Sequence, residues 1–555
     1  MKRITLIISL LLISVAVFSQ PSWSKKAIKS VFTLKTFAPD GTLLGDANGF
    51  FVNESGLALS SFQPFKGAER AVVIDVSGKE YAVTHILGAN ETYDVAKFRV
   101  DIKKSSALPI AQTAQPEHSP VWLLPYRDTK LLTKGEIVKA EMFNGDYAYY
   151  TLNLTMPEST LSAPLLNEAG EVIGLMQQPT ASDATTSYAV SARYADSLRL
   201  TGLSINDPVL RSTFIKKALP TDVGQAQLTL YVAASTLDSA SYAGLIDDFI
   251  QQFPSEQDGY IYKAQLAAGG NNYADADQHM AQALKIASRP DEAHYTYSRL
   301  MYQKVLYNPQ ISYNSWNYER AMQEAEEAYK INPQPGYLQH EAYILFAQKE
   351  YDKASALYDQ LFHTALRSPE IFYEASRCKE MAGDTIGQID LLDSAVACFS
   401  RPYLKEASTY LLARAQAYLS AKKYRAAVND LNEYEELMKV QVNDNFYYIR
   451  YQAELGGRLY QQALNDIKRA TEINPSQELY YAEKASLEVR IGYYDDAILT
   501  AQQCITVAPE YSDGYLFLGL AQCLNGEKQT GVQNLQKAKE LGDTQADGLI
   551  EKYSK

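Results

Sequence analysis

ELYYAEKASLEVRIGYYDDAILTAQQCITVAPEY, residues 478–511, reads as two amphipathic helices and a stop. The first helix offers Tyr481, Ala485 and Glu488 ahead of a turn at Gly492 and Tyr493. The second sets Ala497, Ala501 and Cys504 on one face, the 3.6-residue rhythm of a buried stripe, and ends before Pro509, which cannot continue it. Small side chains recur where the two helices must cross closely, because a larger one would push them apart. The same small residue returns along the chain at Ala276, Ala321, Ala354, Gly387, Ala427, Ala463, Ala497 and Gly531, with gaps of 45, 33, 33, 40, 36, 34 and 34 residues. EYDKASALYDQL and KYRAAVNDLNEY are second helices of looser units. Such units stack on their neighbours only, so the array is an all-α solenoid.

A helix-turn-helix unit with a period near 34 resembles the tetratricopeptide repeat, and the resemblance covers about residues 255–545, roughly eight units. It implies a superhelix whose first helices line a concave, peptide- or protein-binding groove. Projected on that pattern, the groove residues are Gln339, Tyr343, Leu412, Gln416, Tyr448, Gln452, Ser486 and Arg490. Some relatives grip a C-terminal carboxylate with Lys and Asn on successive first helices; no such set is found here. The long gap after Ala276 contains QKVLYNPQISYNSWN, an aromatic insertion ending near Trp316, read as a lengthened helix pair or a binding loop. Residues 206–254 read as a helix pair that caps or links the array.

Residues 26–200 change character. SVFTLKTF, GFFVN, AVVIDV, DVAKFRV, PVWLLPY, YAYYTLNL and EVIGLMQ are short β-branched and aromatic runs between Gly, Asn, Asp and Pro turns, the pattern of an all-β barrel or double barrel. Three stretches in order, LLGDANGFFVNESGLALSSFQPFKGAE, DVAKFRV and STLSAPLLNEAGEVIGL, resemble a trypsin-like serine protease domain of the HtrA type. That resemblance puts the catalytic histidine position on Gln63, the aspartate on Asp94 and the nucleophile on Leu161. Glutamine is no general base near neutral pH, leucine has no hydroxyl, and the aspartate only orients a histidine. The glycines that shape the oxyanion hole become Ser159 and Ser162–Ala163. Ser162 is one position from the nucleophile, where a shifted hydroxyl points elsewhere. His85 and His118 read as ordinary strand and loop histidines, and Glu168 and Glu171 as flanks of a turn at Gly170. No P-loop, zinc-protease or nucleophile-elbow motif occurs, and Gly269–Asn272 is a turn between helices without the preceding strand that a phosphate cradle needs.

The chain has 555 residues and a formal charge of −13. Residues 21–205 hold 17 Lys+Arg against 19 Asp+Glu, so the acidic excess sits in residues 206–555 and argues against nucleic acid as a partner. Tyrosine is abundant, 41 against 18 phenylalanines, which suits both helix packing and binding surfaces. Residues 1–19, with Lys2, Arg3 and an apolar run from Ile4 to Phe18, read as a secretory signal peptide cleaved after Ser19, with no cysteine for a lipid anchor. No later run is apolar enough to span a membrane. Cys378, Cys398, Cys504 and Cys523 lie in helical patterns without paired spacing, so they read as small core residues rather than zinc ligands, and their disulfide state stays open.

The expectation is therefore an exported protein, periplasmic or secreted. It joins an inactive protease-like double barrel to a tetratricopeptide solenoid that binds a protein or peptide, without cofactor or metal. The alternatives are a divergent serine endopeptidase and an envelope holdase, with the array recruiting substrates. The sequence leaves the oligomeric state open.

Overall fold

The computed structural model describes residues 20–126, 132–156, 160–178 and 186–554. Residues 1–19, read from sequence as a signal peptide, and Ser159 lie outside them. The chain divides into two compact units, Met1–Leu266 and Ala267–Lys555.

The first unit holds two closed six-stranded antiparallel barrels. After a short helix α1 (Ser24–Ala27), the first barrel is built from β1 (Val31–Phe37), β2 (Leu43–Phe51), β3 (Leu57–Ser60), β4 (Arg70–Ile74), β5 (Glu80–Asn90) and β6 (Val95–Val100), in the order β1-β2-β3-β6-β5-β4. The second uses β7 (Pro120–Leu123), β8 (Thr133–Phe143), β9 (Tyr147–Asn153), β10 (Pro164–Leu166), β11 (Val172–Met176) and β12 (Thr186–Ser191), in the order β10-β11-β12-β9-β8-β7. Period-two burial sorts their side chains. Phe32, Leu34, Phe51, Phe65 and Phe98 fill the first barrel, with Phe32 and Phe51 rings 4.8 Å apart and Phe65 and Phe98 5.2 Å apart. Val121, Ile137, Tyr150, Leu165 and Ile173 fill the second. Val31, Phe50, Leu59 and Val95 meet Leu166, Val172, Leu175 and Val190 between the barrels. Gly49 is required in β2, since a Cβ there would lie 2.4 Å from the Phe32 ring and 2.6 Å from the Leu59 carbonyl.

After the barrels the chain returns to the first one. Following α2 (Pro208–Arg211), Phe214 N–H donates to Ala68 O at 2.8 Å, and Ile86 N–H to Lys216 O at 2.8 Å; Leu210 and Ile215 are buried in the first barrel's core. Then α3 (Val223–Ala233), α4 (Ser239–Gln252) and α5 (Gln257–Gly269) follow, with Leu219, Leu230, Ile246 and Phe249 in a shared apolar cluster.

The second unit is an antiparallel helical solenoid: α6 (Tyr273–Ile286), α7 (Pro290–Tyr307), α8 (Tyr318–Ile331), α9 (Pro335–Ala347), α10 (Tyr351–Leu361), α11 (Pro369–Met381), α12 (Thr385–Ala397), α13 (Ser408–Ser420), α14 (Tyr424–Met438), α15 (Asp444–Gly456), α16 (Tyr460–Ile473), α17 (Glu478–Ile491), α18 (Tyr494–Val507), α19 (Ser512–Leu524), α20 (Lys528–Glu540) and α21 (Ala546–Tyr553). From α7 onward, odd and even helices pair as the first and second helices of seven units, and α21 packs on α20. Every second helix from α6 to α20 except α12 carries the small anchor as its fourth residue, fully buried at Ala276, Ala321, Ala354, Ala427, Ala463 and Ala497. At the crossing of α19 and α20 a Cβ on Gly519 would lie 2.6 Å from the Gly531 carbonyl.

The anchor in α12 is a correction. The fourth residue there is Gln388, buried; Gly387 is one position early, and its N–H donates to the Asp384 cap at 2.9 Å. Turns between first and second helices each place one residue at positive φ, including Lys349, Gly383, Lys422, Arg458, Gly492 and Gly526. The exception is the α7–α8 connection, which holds the insertion. There Trp316 is buried and its indole N–H donates to Asp277 Oδ1 at 2.8 Å; the Tyr297 and Tyr313 hydroxyls donate to the same carboxylate. The insertion is a clasp on α6, and α7 runs to 18 residues.

Candidate functional site

Of the three positions singled out in the head, Asp94 and Gln63 are joined by a hydrogen bond, and Leu161 is tied to β2. Asp94 sits at positive φ just before β6, where its Oδ1 accepts the N–H groups of Phe62 at 2.8 Å and Gln63 at 2.7 Å. Gln63 opens a 3₁₀ turn, Gln63–Phe65, and is exposed. Across the junction, Asn48 of β2 donates to the Leu161 carbonyl with its N–H at 2.9 Å and its side-chain amide at 3.2 Å. Ser60 Oγ closes the link onto Asn48 O at 2.5 Å.

Ser162 is the hydroxyl nearest the nucleophile position, and it is fully buried. At a φ of 61° its Oγ pairs with Ser61 Oγ, and its N–H donates to Met176 O at 2.9 Å. That pairing occupies the hydroxyl with Ser61 in the buried interior. Neither head-domain imidazole joins Asp94. His118 is exposed and bonds Glu136 Oε1 at 2.8 Å. His85 lies 4.0 Å from Asp248 of α4, which also holds Lys216 at 2.5 Å, and burial keeps its imidazole below the usual range. At the turn read from sequence, Gly170 carries the Trp23 ring close against it, and Glu171 holds the Asn167 amide at 2.9 Å.

In the array, the eight projected groove residues fall in four i, i+4 pairs on first helices. Gln339 and Tyr343 on α9 bond each other at 2.6 Å. On α13, Leu412 packs with the core that joins α13 to α15, while Gln416 is exposed. On α15, Tyr448 stacks on Tyr451 and meets Tyr480 of α17 at 5.2 Å, while Gln452 is exposed. On α17, Ser486 is half-buried and Arg490 exposed. Within a pair, then, one member often spends its surface on helix packing.

The ring contacts continue beyond the projected set. Tyr295 of α7 lies 4.7 Å from Tyr337 of α9, and Tyr373 of α11 lies 5.9 Å from Tyr410 of α13. Sequence reading missed Tyr295, Tyr302 and Tyr373, because the insertion and the Gly387 slip blurred the register of α7 and α11. The signal that finds α7 is the small residue that meets its second-helix anchor: Ser298 Oγ donates to the Ala321 carbonyl at 2.5 Å.

The four cysteines are free. Cys378, Cys504 and Cys523 are buried, and burial pushes the thiols of Cys378 and Cys504 up to about 11 and about 12. Cys398 corrects the expectation of a core residue: it caps the end of α12 and is exposed, its Sγ–H donating to Ser394 O. Among the described residues no cluster of His, Cys, Asp and Glu is arranged to hold a metal ion, and no helix is long and apolar enough to cross a membrane.

Comparison with known proteins follows this geometry. Residues 47–175 match the model of a family described as a trypsin-like peptidase domain. The chain is 27 % identical over 85 residues to small glutamine-rich tetratricopeptide repeat-containing protein 2 of Saccharomyces cerevisiae, covering 15 % of this chain and 25 % of that protein. It is 33 % identical over 73 residues to the protein of the same name from Mycosarcoma maydis, covering 13 % and 21 %. The match thus spans about a quarter of these relatives' length. Among solved structures, the chain is similar to the Rv3671c protease from M. tuberculosis in its active form, at 19 % identity and a TM-score of 0.28, over 31 % of this chain and 81 % of that one. The chain carries a trypsin-like peptidase domain at residues 47–175, followed by a helical repeat array similar to tetratricopeptide arrays.

Proposed function

We propose that the protein is an exported, non-catalytic interaction scaffold. The array captures an extended segment of a partner protein along its first helices, and the trypsin-like head performs no peptide hydrolysis. The observation that carries the second half is the pairing of Asp94 with backbone N–H groups, beside Gln63 where a base would stand and Leu161 where a nucleophile would stand. Without an imidazole and a hydroxyl, an orienting carboxylate has nothing to orient. Capture by the array is supported by the half-buried tyrosines and exposed Gln416, Gln452 and Arg490 on successive first helices, a mix of rigid aromatic surface and polar contacts. Export is supported by Lys2 and Arg3 ahead of the apolar run.

A fluorophosphonate probe for activated serines, applied to the full chain, tests the reading of the head. No labelling is the expected result, and labelling at Ser162 would overturn it. For the array, a partner captured by the full chain should be lost by a Tyr448→Ala, Gln452→Ala double variant with unchanged helicity. Equal capture by both moves the binding surface elsewhere.

A further inference from the structure

Among the described residues of the array, three buried carboxyl oxygens have no hydrogen-bond donor: Glu341 Oε1, Glu454 Oε2 and Glu488 Oε2. An ionised carboxylate only accepts, so a buried oxygen left without a donor is costly. Glu454 has the most crowded surroundings, and its residue is only 3 % exposed. Its Oε1 lies 4.0 Å from Arg450 Nε, one turn back on α15.

Arg450 is already committed. Its Nε and one terminal nitrogen hold both Asp466 oxygens of α16 at 2.6 and 2.9 Å. Its other terminal nitrogen holds Glu435 at 2.5 Å and Asn432 at 3.0 Å, both on α14. The remaining polar groups around α15 are engaged too. The Tyr447 hydroxyl donates to Glu435, and Glu483 of α17 accepts from the Tyr451 hydroxyl. Lys484 of α17 faces Thr500 and Glu488, and Arg414 of α13 is taken by Asp430 and Asp393. Ionised, Glu454 would be a third carboxylate around one guanidinium, with Oε2 unsolvated. Protonated, the carboxyl becomes a donor, and the Asp466 side chain with which it pairs is the acceptor.

We propose that the joint of α14, α15 and α16 is operated by a proton: Glu454 carries it at neutral pH and donates a hydrogen bond to Asp466, and its loss loosens α15 from both neighbours. Burial, reinforced by Asp466 and opposed by Arg450, pushes the Glu454 carboxyl up to about 8. The unfolded carboxyl titrates near 4.3, so between there and about 8 the folded chain binds the extra proton. Stability of the joint therefore falls as pH rises through that window and levels off above it. Tyr448 and Gln452 share α15, so the proton also reaches the surface assigned to partner capture.

Hydrogen exchange of the full chain tests this, read over residues 444–473 at about pH 6 and about pH 9 and corrected for intrinsic chemistry, in the wild type and in Glu454→Gln. Gln keeps a donor for Asp466 and cannot ionise. The expected opening constant rises about a hundredfold in the wild type and stays within about twofold in Glu454→Gln. An equal rise in both, or a flat wild-type profile, overturns the proposal. The second readout is the pH-difference infrared spectrum. A protonated-carboxyl carbonyl band that fades across the window should be weaker in Glu454→Gln, and an unchanged band overturns the assignment. If the variant does not accumulate, a flat wild-type exchange profile alone overturns the proposal.

Discussion

The Asp94 carboxylate accepts the backbone N–H of Gln63 at 2.7 Å. The aspartate is thus held by the very residue whose side chain it would otherwise orient, and its bonds to main chain make it a fastener for the turn at Gln63–Phe65. Asp94→Ala should cost about 1–3 kcal/mol, because two N–H groups lose a charged acceptor. Chemical denaturation of the full chain, followed through the first barrel's unfolding, checks this; a change below about 0.5 kcal/mol would count against the fastening role.

Arg450→Met should destabilise the array by about 3–5 kcal/mol, since it strands buried Asp466 without its paired cation and leaves half-buried Glu435 with Tyr447 alone. The comparison variant, Arg401→Met, removes only an exposed pair with Glu433 and should cost less than about 1 kcal/mol. Urea melts of the two variants give the contrast directly.

His340 supplies an acid-side effect. Its Nε2 lies 2.9 Å from Ser298 Oγ, between the Tyr295 and Tyr302 rings, and burial pulls its imidazole down to about 4. The unfolded imidazole titrates near 6.5, so between those values the unfolded chain binds more protons. Stability from this group is complete above about pH 6.5 and falls by about 3 kcal/mol as pH drops to about 4. A His340→Asn variant should show a shallower acid limb in thermal melts recorded across that range.

Gly519→Ala improves helix propensity, and should nonetheless destabilise by about 1–3 kcal/mol, because the added Cβ meets the Gly531 carbonyl and Leu535. Gly548→Ala on α21, with open space around its Cβ, is the control and should be neutral or slightly stabilising. Circular dichroism melts of the pair separate crossing geometry from propensity.

Much of this architecture is legible in the chain because its constraints are local. A small fourth residue on every second helix but α12 is forced by the helix crossing, so it repeats at a readable interval. The seven strand runs quoted from the head fall on β1, β2, β4, β6, β7, β9 and β11. What escaped was set by long-range contacts. β8, with Lys134, Glu136, Lys139 and Glu141 alternating outward, lacks the apolar density that marks a strand. Trp316 looks like a loop aromatic until Asp277, far back in the chain, claims its indole N–H. Arg450 on a first helix reads as a solvated charge, and only the fold surrounds it with Asp466, Glu435 and Asn432. The tyrosines of α7 and α11 depend on a register that the insertion interrupts.

The segment that re-enters the first barrel after residue 208 makes the head's covalent limits differ from its spatial ones. Leu210 and Ile215 are interior residues of a barrel whose last strand ends at Val100. A head excised at residue 200 would therefore lack part of its own interior. A chimera that grafts this head onto another array has to carry the strap through Leu219 as part of the donated piece. A proteolytic nick near Thr201 would leave two fragments still held together by Ala68, Ile86 and the barrel core, much as a severed clasp stays shut while its pin is in place.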